Sequence, residues 1–229
     1  MGIIREKVEE HLEENGLNNE LQAGFTKNRR ITDNLFILKY CIESSFKNKK
    51  ELYVISIDFK KAFDSVDRGR LVMTMMQYKI DSKIVDIIAS IYTGDSTELY
   101  MNNEMETEIE ITSGIRQGCN GSTVLFLMIT YIIIEKLQEE NIGYKDDIFN
   151  IAALFFADDG LILTQSIEEA TRGIRILKDI GETCGLDINS QKSSIMIYNN
   201  KEVQQSKIEE IEVVNEIKYL GVKITNRMK

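Results

Sequence analysis

Three aspartates in two separate segments have the residue type and the surroundings of a metal site. Asp158 and Asp159 are adjacent, and apolar runs at 154–156 and 161–163 flank them. Two carboxylates this close repel one another unless a cation neutralises them. Asp58 ends a β-branched run, where an unpaired buried charge would be costly. Acidic oxygen ligands suit Mg²⁺ or Mn²⁺, although a solvated Asp-Gly turn would have the same sequence.

A pair of divalent ions about 3.5–4 Å apart is what nucleotidyl transfer requires. Two strands that each deliver carboxylates to one edge of a sheet would hold such a pair. Residues 52–58 are typical of a buried central strand, and residues 151–164 are typical of a hairpin with the Asp158-Asp159 pair at its tip. We therefore expect Asp58 to meet that pair at the sheet edge.

The rest of the chain predicts an α+β fold with helices packed on one face of an antiparallel sheet. Thr32-Asp33 and Ser122-Thr123 are the expected N-caps of two helices. Asn102-Asn103 is the expected turn of a further hairpin, because Asn tolerates positive φ. Helical periodicity covers 3–14, 31–46, 68–78, 82–92, 122–140 and 167–183, and strands are expected near 97–112, 193–198, 211–214 and 219–224.

Composition limits the possible function. The net charge of −9 is unfavourable for a nucleic-acid partner, but residues 26–50 carry seven basic and two acidic residues, which suits either a binding segment or a solvated face. A single histidine, His11, excludes a Ser-His-Asp triad and an HExxH site within this sequence. Three dispersed cysteines and no signal-peptide pattern predict an intracellular protein, in cytoplasm or nucleus and not secreted. The longest apolar run, 124–134, predicts a buried helix and not a membrane span.

Six segments, in the family's order and spacing, resemble reverse transcriptases, especially those of non-LTR retrotransposons. Phe156-Ala157-Asp158-Asp159 is similar to their [YF]-x-D-D catalytic turn, and VISIDFKKAFDSVD at 54–67 is similar to their first catalytic motif. The other matches are the fingers segment QAGFTKNRR (22–30), the second palm motif GIRQGC (114–119), the following motif GLDINSQK (185–192) and the primer grip YLGV (219–222).

The resemblance implies a right-hand polymerase palm, with an antiparallel sheet backed by helices, plus a partial and mostly helical fingers segment. It divides the chain into partial fingers (1–50), palm with the first catalytic motif (51–78), fingers and palm helices with a hairpin (79–113), and palm through the primer-grip region (114–229). The thumb is expected to be absent. The chain is thus expected to be the chemical centre of a retroelement polyprotein.

The resemblance also implies a role for each matching residue. Two ions, Mg²⁺ or Mn²⁺, would bind Asp58, Asp158 and Asp159, and Lys192 would protonate the leaving pyrophosphate unless it is only a surface lysine. Phe63 would exclude a 2′-hydroxyl, although a core aromatic would also suit its position. Further nucleotide contacts would come from Phe59, Arg116, Gln117 and Gly118. Template or primer contacts would come from Arg29, Arg30, Tyr219, Leu220 and Gly221.

One departure and two alternatives qualify this interpretation. The second palm motif of the family continues with Pro-Leu-Ser-Pro, whereas this chain has NGST at 120–123. The expected activity is DNA synthesis from an RNA template, a DNA primer and dNTPs, with no membrane partner and no indication of oligomeric state. An RNA-templated RNA polymerase is the first alternative, and Phe63 argues against it. A non-catalytic RNA-binding or scaffold remnant is the second, and the three retained aspartates argue against it.

Overall fold

The computed structural model describes residues 1–101, 104–200 and 205–226. Its helices are α1 (Gly2–Glu14), α2 (Ile31–Asn48), α3 (Ala62–Ser65), α4 (Arg68–Gln77), α5 (Ser82–Tyr92), α6 (Asn120–Glu139) and α7 (Ile167–Cys184). Its strands are β1 (Leu52–Ile57), β2 (Ser96–Met101), β3 (Glu104–Glu110), β4 (Tyr144–Lys145), β5 (Asn150–Ile151), β6 (Ala153–Phe156), β7 (Asp159–Thr164), β8 (Ser194–Tyr198), β9 (Lys207–Ile208), β10 (Ile211–Val213), β11 (Glu216–Tyr219) and β12 (Val222–Thr225).

Six strands form the main sheet, in the order β6-β7-β1-β8-β10-β9. The pairs β6–β7, β7–β1, β1–β8 and β10–β9 are antiparallel, as expected. The pair β8–β10 is parallel, with Val213 opposite Ile195. The main sheet is therefore antiparallel, as predicted, except at this pair. The reason is that β9 and β10 form an antiparallel hairpin in which β10, the second strand, lies between β9 and β8.

The centre of the sheet is buried on both sides. Leu52, Tyr53, Val54 and Ile55 are consecutive in β1, and each is fully buried. Successive strand residues point to opposite faces, so protein covers both faces. Helices α6 and α7 contact sheet strands, and so does α2, which packs on β1, β6 and β8. The expectation of helices on one face only is corrected in this respect, while the α+β mixture is confirmed.

Helix α6 is the main core helix. By length and composition alone it could cross a membrane, but 72% of its most apolar window is buried inside the fold. It begins at Asn120, after Cys119, and not at the predicted Ser122-Thr123 cap. The Thr123 hydroxyl donates to the carbonyl of Asn120 instead, at 3.0 Å. The first turn is polar, and apolar periodicity therefore does not reveal it.

Two other boundaries differ from the predictions. Helix α2 begins at Ile31, because the Asp33 carboxylate accepts a hydrogen bond from the Arg30 amide at 2.8 Å and closes the first turn from inside the helix. The strand expected over 219–224 is a hairpin, β11–β12, whose turn residues Leu220 and Gly221 both have positive φ. The β2 and β3 strands are present as predicted, and the expected Asn102-Asn103 turn lies outside the described residues.

The half-buried carboxylate of Asp146 stabilises the loop before β5. This interaction gives a first testable prediction. Asp146 accepts hydrogen bonds from the Tyr40 hydroxyl at 2.6 Å, from the Ser44 hydroxyl, and from the amides of Ile148 and Phe149. The Tyr40 hydrogen bond is the largest cause that lowers the Asp146 pKa from 3.8 to about 2. A lowered carboxyl pKa contributes stability that is complete above 3.8 and is lost as pH falls towards 2.

We expect Asp146→Asn to lower the free energy of unfolding at pH 7 by roughly 1–3 kcal/mol, because hydrogen bonds to a charged group are lost. The variant should also lose less stability than wild type between pH 4 and pH 2. Denaturant unfolding at several pH values measures both effects. The neighbouring exposed Asp147, changed to Asn, is the control, and equal pH profiles for wild type and Asp146→Asn would contradict the assignment.

Candidate active site

The pairing of β1 with β7 brings the aspartates of two distant segments together. Ile57, the last residue of β1, lies opposite Gly160. Asp58 is the next residue along the chain, and Asp159 precedes Gly160 on the antiparallel partner. Directly opposed Cα atoms on such strands are about 4.5–5.5 Å apart. The register therefore directs Asp58 and Asp159 to the same edge of the sheet.

Asp158 lies in a two-residue turn between β6 and β7. Phe156 pairs with Asp159 at the end of the hairpin, which leaves Ala157 and Asp158 as the turn residues. Ala157 has φ of 58°, at a turn position where Gly is preferred. This left-handed conformation costs a non-glycine residue about 1–2 kcal/mol. Asp158 and Asp159 are exposed at the tip, while Ala157 is buried beneath them.

The pKa of Asp159 is consistent with three neighbouring carboxylates. The pKa of Asp159 is raised, first by partial desolvation of its carboxyl group, then by the charge of Asp158 and then by that of Asp58. The desolvation is local, because Asp159 as a whole residue is exposed. Asp58 influences Asp159 although 101 positions separate them, so the expected meeting of the two segments is present.

The donor set at this edge fits hard divalent cations. It consists of carboxylate oxygens, and the pKa of Asp159 is raised first by partial desolvation and then by repulsion from Asp158 and Asp58. A cation would relieve that repulsion. Among residues 1–101, 104–200 and 205–226, no three acidic, His or Cys side chains form a ready-made cage. The carboxylates are thus close enough to interact without converging on one point.

The loop before β8 fixes the backbone of Asp58. The Asn189 amide donates to the Asp58 carbonyl at 2.8 Å, and the Asp58 amide donates to the Ser193 hydroxyl at 3.1 Å. Lys192 lies on the same loop and is exposed. The structure therefore brings Lys192 to the segment that holds Asp58. Ser193 is buried, and no residue pattern predicted its role.

The two aromatic residues after Asp58 differ in position. Phe59 is buried, and its backbone pairs with that of Ile188 in an isolated bridge. Phe63 lies in the short helix α3 and is partly buried. Its ring stacks on Phe126 with centroids 4.4 Å apart and planes at 16°. Phe63 is therefore a core contact that keeps part of its surface exposed, and its role at the 2′-hydroxyl stays a prediction.

The loop of the second palm motif packs on α3. The Ile115 amide donates to the Phe63 carbonyl at 2.8 Å, and the Gln117 amide side chain donates to the Asp64 carboxylate at 2.8 Å. Gly118 has φ of 76°, which favours glycine. Gln117 is thereby placed against α3, the helix that contains Phe63, and Gly118 is the next residue in the chain. Residues 64, 111 and 113–117 also line a cleft of about 400 Å³.

Arg116 forms an ion pair with Asp95, which restricts the conformation of its side chain. Its guanidinium lies 2.7 Å from one Asp95 oxygen, and Arg68 lies 2.8 Å from the other. The hydrogen bond from Arg116 is the largest cause that lowers the pKa of Asp95. Asp95 is a residue that sequence inspection missed, and it lies 21 positions from Arg116 in an otherwise ordinary loop.

The predicted template and primer residues occupy two separate places. Tyr219 is buried; its hydroxyl donates to the Leu154 carbonyl at 3.0 Å and accepts from Asn34. Burial raises the pKa of Tyr219, and the charge of Asp159 adds to this, so the β11 end lies near the carboxylates. Leu220 and Gly221 form the adjacent turn. No described contact links Arg29 or Arg30 to the carboxylates; Arg29 faces Glu20 at 3.9 Å.

Comparison with protein-family models shows to which family the chain belongs. The model of "Reverse transcriptase (RNA-dependent DNA polymerase)" matches residues 3–224. This chain belongs to the reverse transcriptase family. The resemblance seen in the sequence motifs is thereby confirmed, and divalent-metal dependence is typical of reverse transcriptases.

Retrotransposon proteins are similar to this reverse transcriptase chain in sequence. The Retrovirus-related Pol polyprotein of type-1 retrotransposable element R2 from Popillia japonica is 28% identical over 208 residues, which cover 82% of this chain and 33% of that protein. The corresponding polyprotein of element R2DM from Drosophila melanogaster is 27% identical over 89% of this chain and 20% of its own length. The chain thus spans a third or less of these relatives.

A solved structure of a telomerase shares the fold. Telomerase from Candida tropicalis, in complex with the TWJ fragment of telomeric RNA, superposes with a TM-score of 0.71 over 97% of this chain and 36% of that one. The identity is 13%, so this likeness concerns the fold alone. It agrees with the α+β polymerase palm expected of a reverse transcriptase.

The repulsion at the carboxylate edge gives a second testable prediction. We expect Asp159→Asn to raise the melting temperature of the metal-free protein at pH 7, because a charge held against two others is removed. The raised pKa of Asp159 means that wild type loses stability as pH rises above 3.8 and through the folded-state pKa. Thermal unfolding in EDTA between pH 4 and 7 measures the difference between the two proteins.

The control for this prediction is the exposed Asp86 in α5, changed to Asn. That substitution should leave the melting temperature and its pH dependence unchanged. A lower melting temperature for Asp159→Asn than for wild type at pH 7 would show that the carboxylates do not repel one another.

Proposed function

We propose that this chain synthesises DNA on an RNA template by two-metal nucleotidyl transfer, as the catalytic part of a retroelement polyprotein. The observation that carries the proposal is the register of β1 against β7, which sets Asp58 beside Asp159. The raised pKa of Asp159 in the presence of Asp58 and Asp158 supports it. Membership of the reverse transcriptase family supports the choice of DNA as product and RNA as template.

Asp58, Asp158 and Asp159 would hold two divalent cations, Mg²⁺ or Mn²⁺. The chemistry supplied there by bound ions would be a lower pKa of the primer 3′-hydroxyl and stabilisation of the charge of the leaving pyrophosphate. The chain's own contribution is to aim the carboxylates. The Asn189 and Ser193 hydrogen bonds fix the backbone of Asp58, and the hairpin turn fixes Asp158.

The nucleotide would lie against the surface that α3 and the loop of the second palm motif form together. Phe63, held by its stack on Phe126, would face the sugar and leave no room for a 2′-hydroxyl. Gln117 and Gly118 would line the nucleotide pocket beside Phe63. Phe59, which is buried, would support the base of that pocket. Arg116 would reach the triphosphate after release from Asp95, since it is half exposed in that ion pair.

Lys192 would donate a proton to the pyrophosphate leaving group. The support for this role is its place on the loop that binds the Asp58 backbone. Arg29 and Arg30 would contact template phosphates, because guanidinium groups bind phosphate bidentately. The turn at Leu220 and Gly221, aligned by Tyr219, would contact the primer.

The proposal keeps the division into partial fingers (1–50), palm (51–78 and 114–229) and an intervening helical and hairpin segment (79–113). Of the range 114–229, the structure describes residues 114–200 and 205–226. An intracellular location is also proposed, on the basis of the free cysteines Cys41, Cys119 and Cys184.

Primer extension tests the proposed function. The chain is incubated with a DNA primer on a homopolymer RNA template and with dTTP or UTP, in Mg²⁺ or Mn²⁺. We expect DNA products from dTTP, their loss in EDTA, and much weaker use of UTP. Preferred use of UTP would favour an RNA polymerase. Absence of extension in both metals, with normal folding, would favour the non-catalytic remnant.

A further inference from the structure

We infer that Gln22 is a positioning residue that holds the catalytic turn in its productive shape by clamping both backbone groups of Ala157. The inference rests on the proposed function, because the turn matters only if Asp158 and Asp159 bind the reacting groups. Gln22 is fully buried and lies 135 positions from Ala157 in the sequence.

The side-chain amide of Gln22 makes four hydrogen bonds. Its oxygen accepts from the amides of Ala157 at 2.9 Å and Gly24 at 2.8 Å. Its nitrogen donates to the Ala157 carbonyl at 3.1 Å and to the Thr130 hydroxyl at 2.9 Å. Both polar backbone groups of one turn residue are thereby satisfied by a single side chain, and every donor and acceptor site of that amide has a partner.

The surroundings allow only one orientation of this amide. The Thr130 hydroxyl donates its own proton to the Leu127 carbonyl at 2.8 Å, so it must accept from Gln22. On the other side, two backbone N–H groups point at the Gln22 oxygen. A flipped amide would place donors against donors, which is costly in a buried site. The clamp is therefore rigid.

The segment around Gln22 also covers the free edge of β6. The Phe155 amide donates to the Leu21 carbonyl at 2.7 Å, and the Ala23 amide donates to the Phe155 carbonyl at 2.8 Å. Gly24 lies so close to the turn that an added Cβ would be 2.1 Å from the Ala157 nitrogen. Residues 21–24 thus pack directly against the peptide bond between Phe156 and Ala157.

A strained turn needs such a support. Ala157 keeps a positive φ without being glycine, and conformations of this kind persist only when their surroundings over-determine them. Without the clamp, Ala157 would relax towards ordinary φ values and Asp158 would move with it. A displacement of about 1 Å at a reacting group is enough to lower a rate by roughly 100-fold.

The experiment compares Gln22→Met with two controls. Methionine keeps the length of the side chain and removes all four hydrogen bonds. Gln77→Met is the exposed counterpart on α4, and Ile88→Ala destabilises the core away from the turn. The measurements are kcat and KM for dTTP in primer extension, the melting temperature, and hydrogen exchange of the peptide that contains the turn.

We expect Gln22→Met to lower kcat about 100-fold, with KM for dTTP within about twofold of wild type. Hydrogen exchange at the turn should become roughly tenfold faster, as for the loss of one buried hydrogen bond. Gln77→Met should match wild type. Ile88→Ala should lower the melting temperature without changing exchange selectively at the turn.

Equal kcat loss in Gln22→Met and in an Ile88→Ala protein of the same melting temperature would overturn the inference, and so would unchanged exchange at the turn. If wild type extends no primer, the proposed function fails, and the exchange measurement alone decides about the clamp. If Gln22→Met does not fold, Thr130→Val replaces it. This variant removes one partner of the amide and should show the same two effects in smaller measure; wild-type exchange at the turn would contradict the clamp.

Discussion

Asparagine in place of Asp158 is expected to abolish primer extension, with a loss in kcat of roughly 10³-fold or more. Asparagine has the same shape but lacks the charge that attracts a divalent ion. Asp158 is exposed at the tip of the hairpin, so the fold should tolerate the change. Single-turnover extension at saturating dTTP, alongside a melting curve, measures the effect on chemistry separately from the effect on stability.

The matched control is Asp179→Asn, which removes an exposed carboxylate from α7. It should extend primer at the wild-type rate. Retention of more than about a tenth of the wild-type rate by Asp158→Asn would contradict the assignment of this carboxylate to the reaction, because that residual rate corresponds to a loss of only about 1.4 kcal/mol.

Alanine in place of Phe63 is expected to reduce the discrimination of dTTP against UTP by about 100-fold, a typical limit for a pocket that rejects an extra hydroxyl. The ring is a fixed wall because it stacks on Phe126 at 4.4 Å. Its removal should raise kcat/KM for UTP and leave kcat/KM for dTTP within an order of magnitude. Competition between the two nucleotides on one primer measures the ratio.

Two companion variants sharpen this prediction. Phe36→Ala removes another phenylalanine, one that is 72% exposed on α2, and should leave the ratio unchanged. Phe126→Leu should free the Phe63 ring and give a smaller reduction of the same sign. An unchanged ratio in Phe63→Ala, with extension intact, would show that another residue excludes the 2′-hydroxyl.

Local pattern predicted the parts of the site that the chain builds from short segments. Asp58 follows a mostly apolar run that is typical of a buried strand, and β1 ends one residue before it. Asp158 and Asp159 lie between two short apolar runs, which become β6 and β7. Each carboxylate lies at the end of a buried strand, so both segments were expected to bring their carboxylates to the same edge of the sheet.

Long-range pairing lay beyond that pattern. Gln22 contacts backbone atoms 135 positions away, and backbone atoms leave no trace in residue types. The parallel pairing of β8 with β10 depends on the path of the connection and not on either strand. The contacts of the Tyr219 hydroxyl with Asn34 and with the Leu154 carbonyl are likewise long-range and were not predicted. Its contact with primer stays a prediction.

Calorimetric titration with Mn²⁺ tests the meeting of the aspartates most directly. The proteins are wild type, Asp58→Asn, Asp158→Asn and the double variant. Each single substitution is predicted to weaken Mn²⁺ binding at least about tenfold, and the double variant to lose little more than either, because the two side chains share an ion. Wild-type Mn²⁺ affinity in the Asp58→Asn protein would contradict the claim that β1 and the β6–β7 turn form one site.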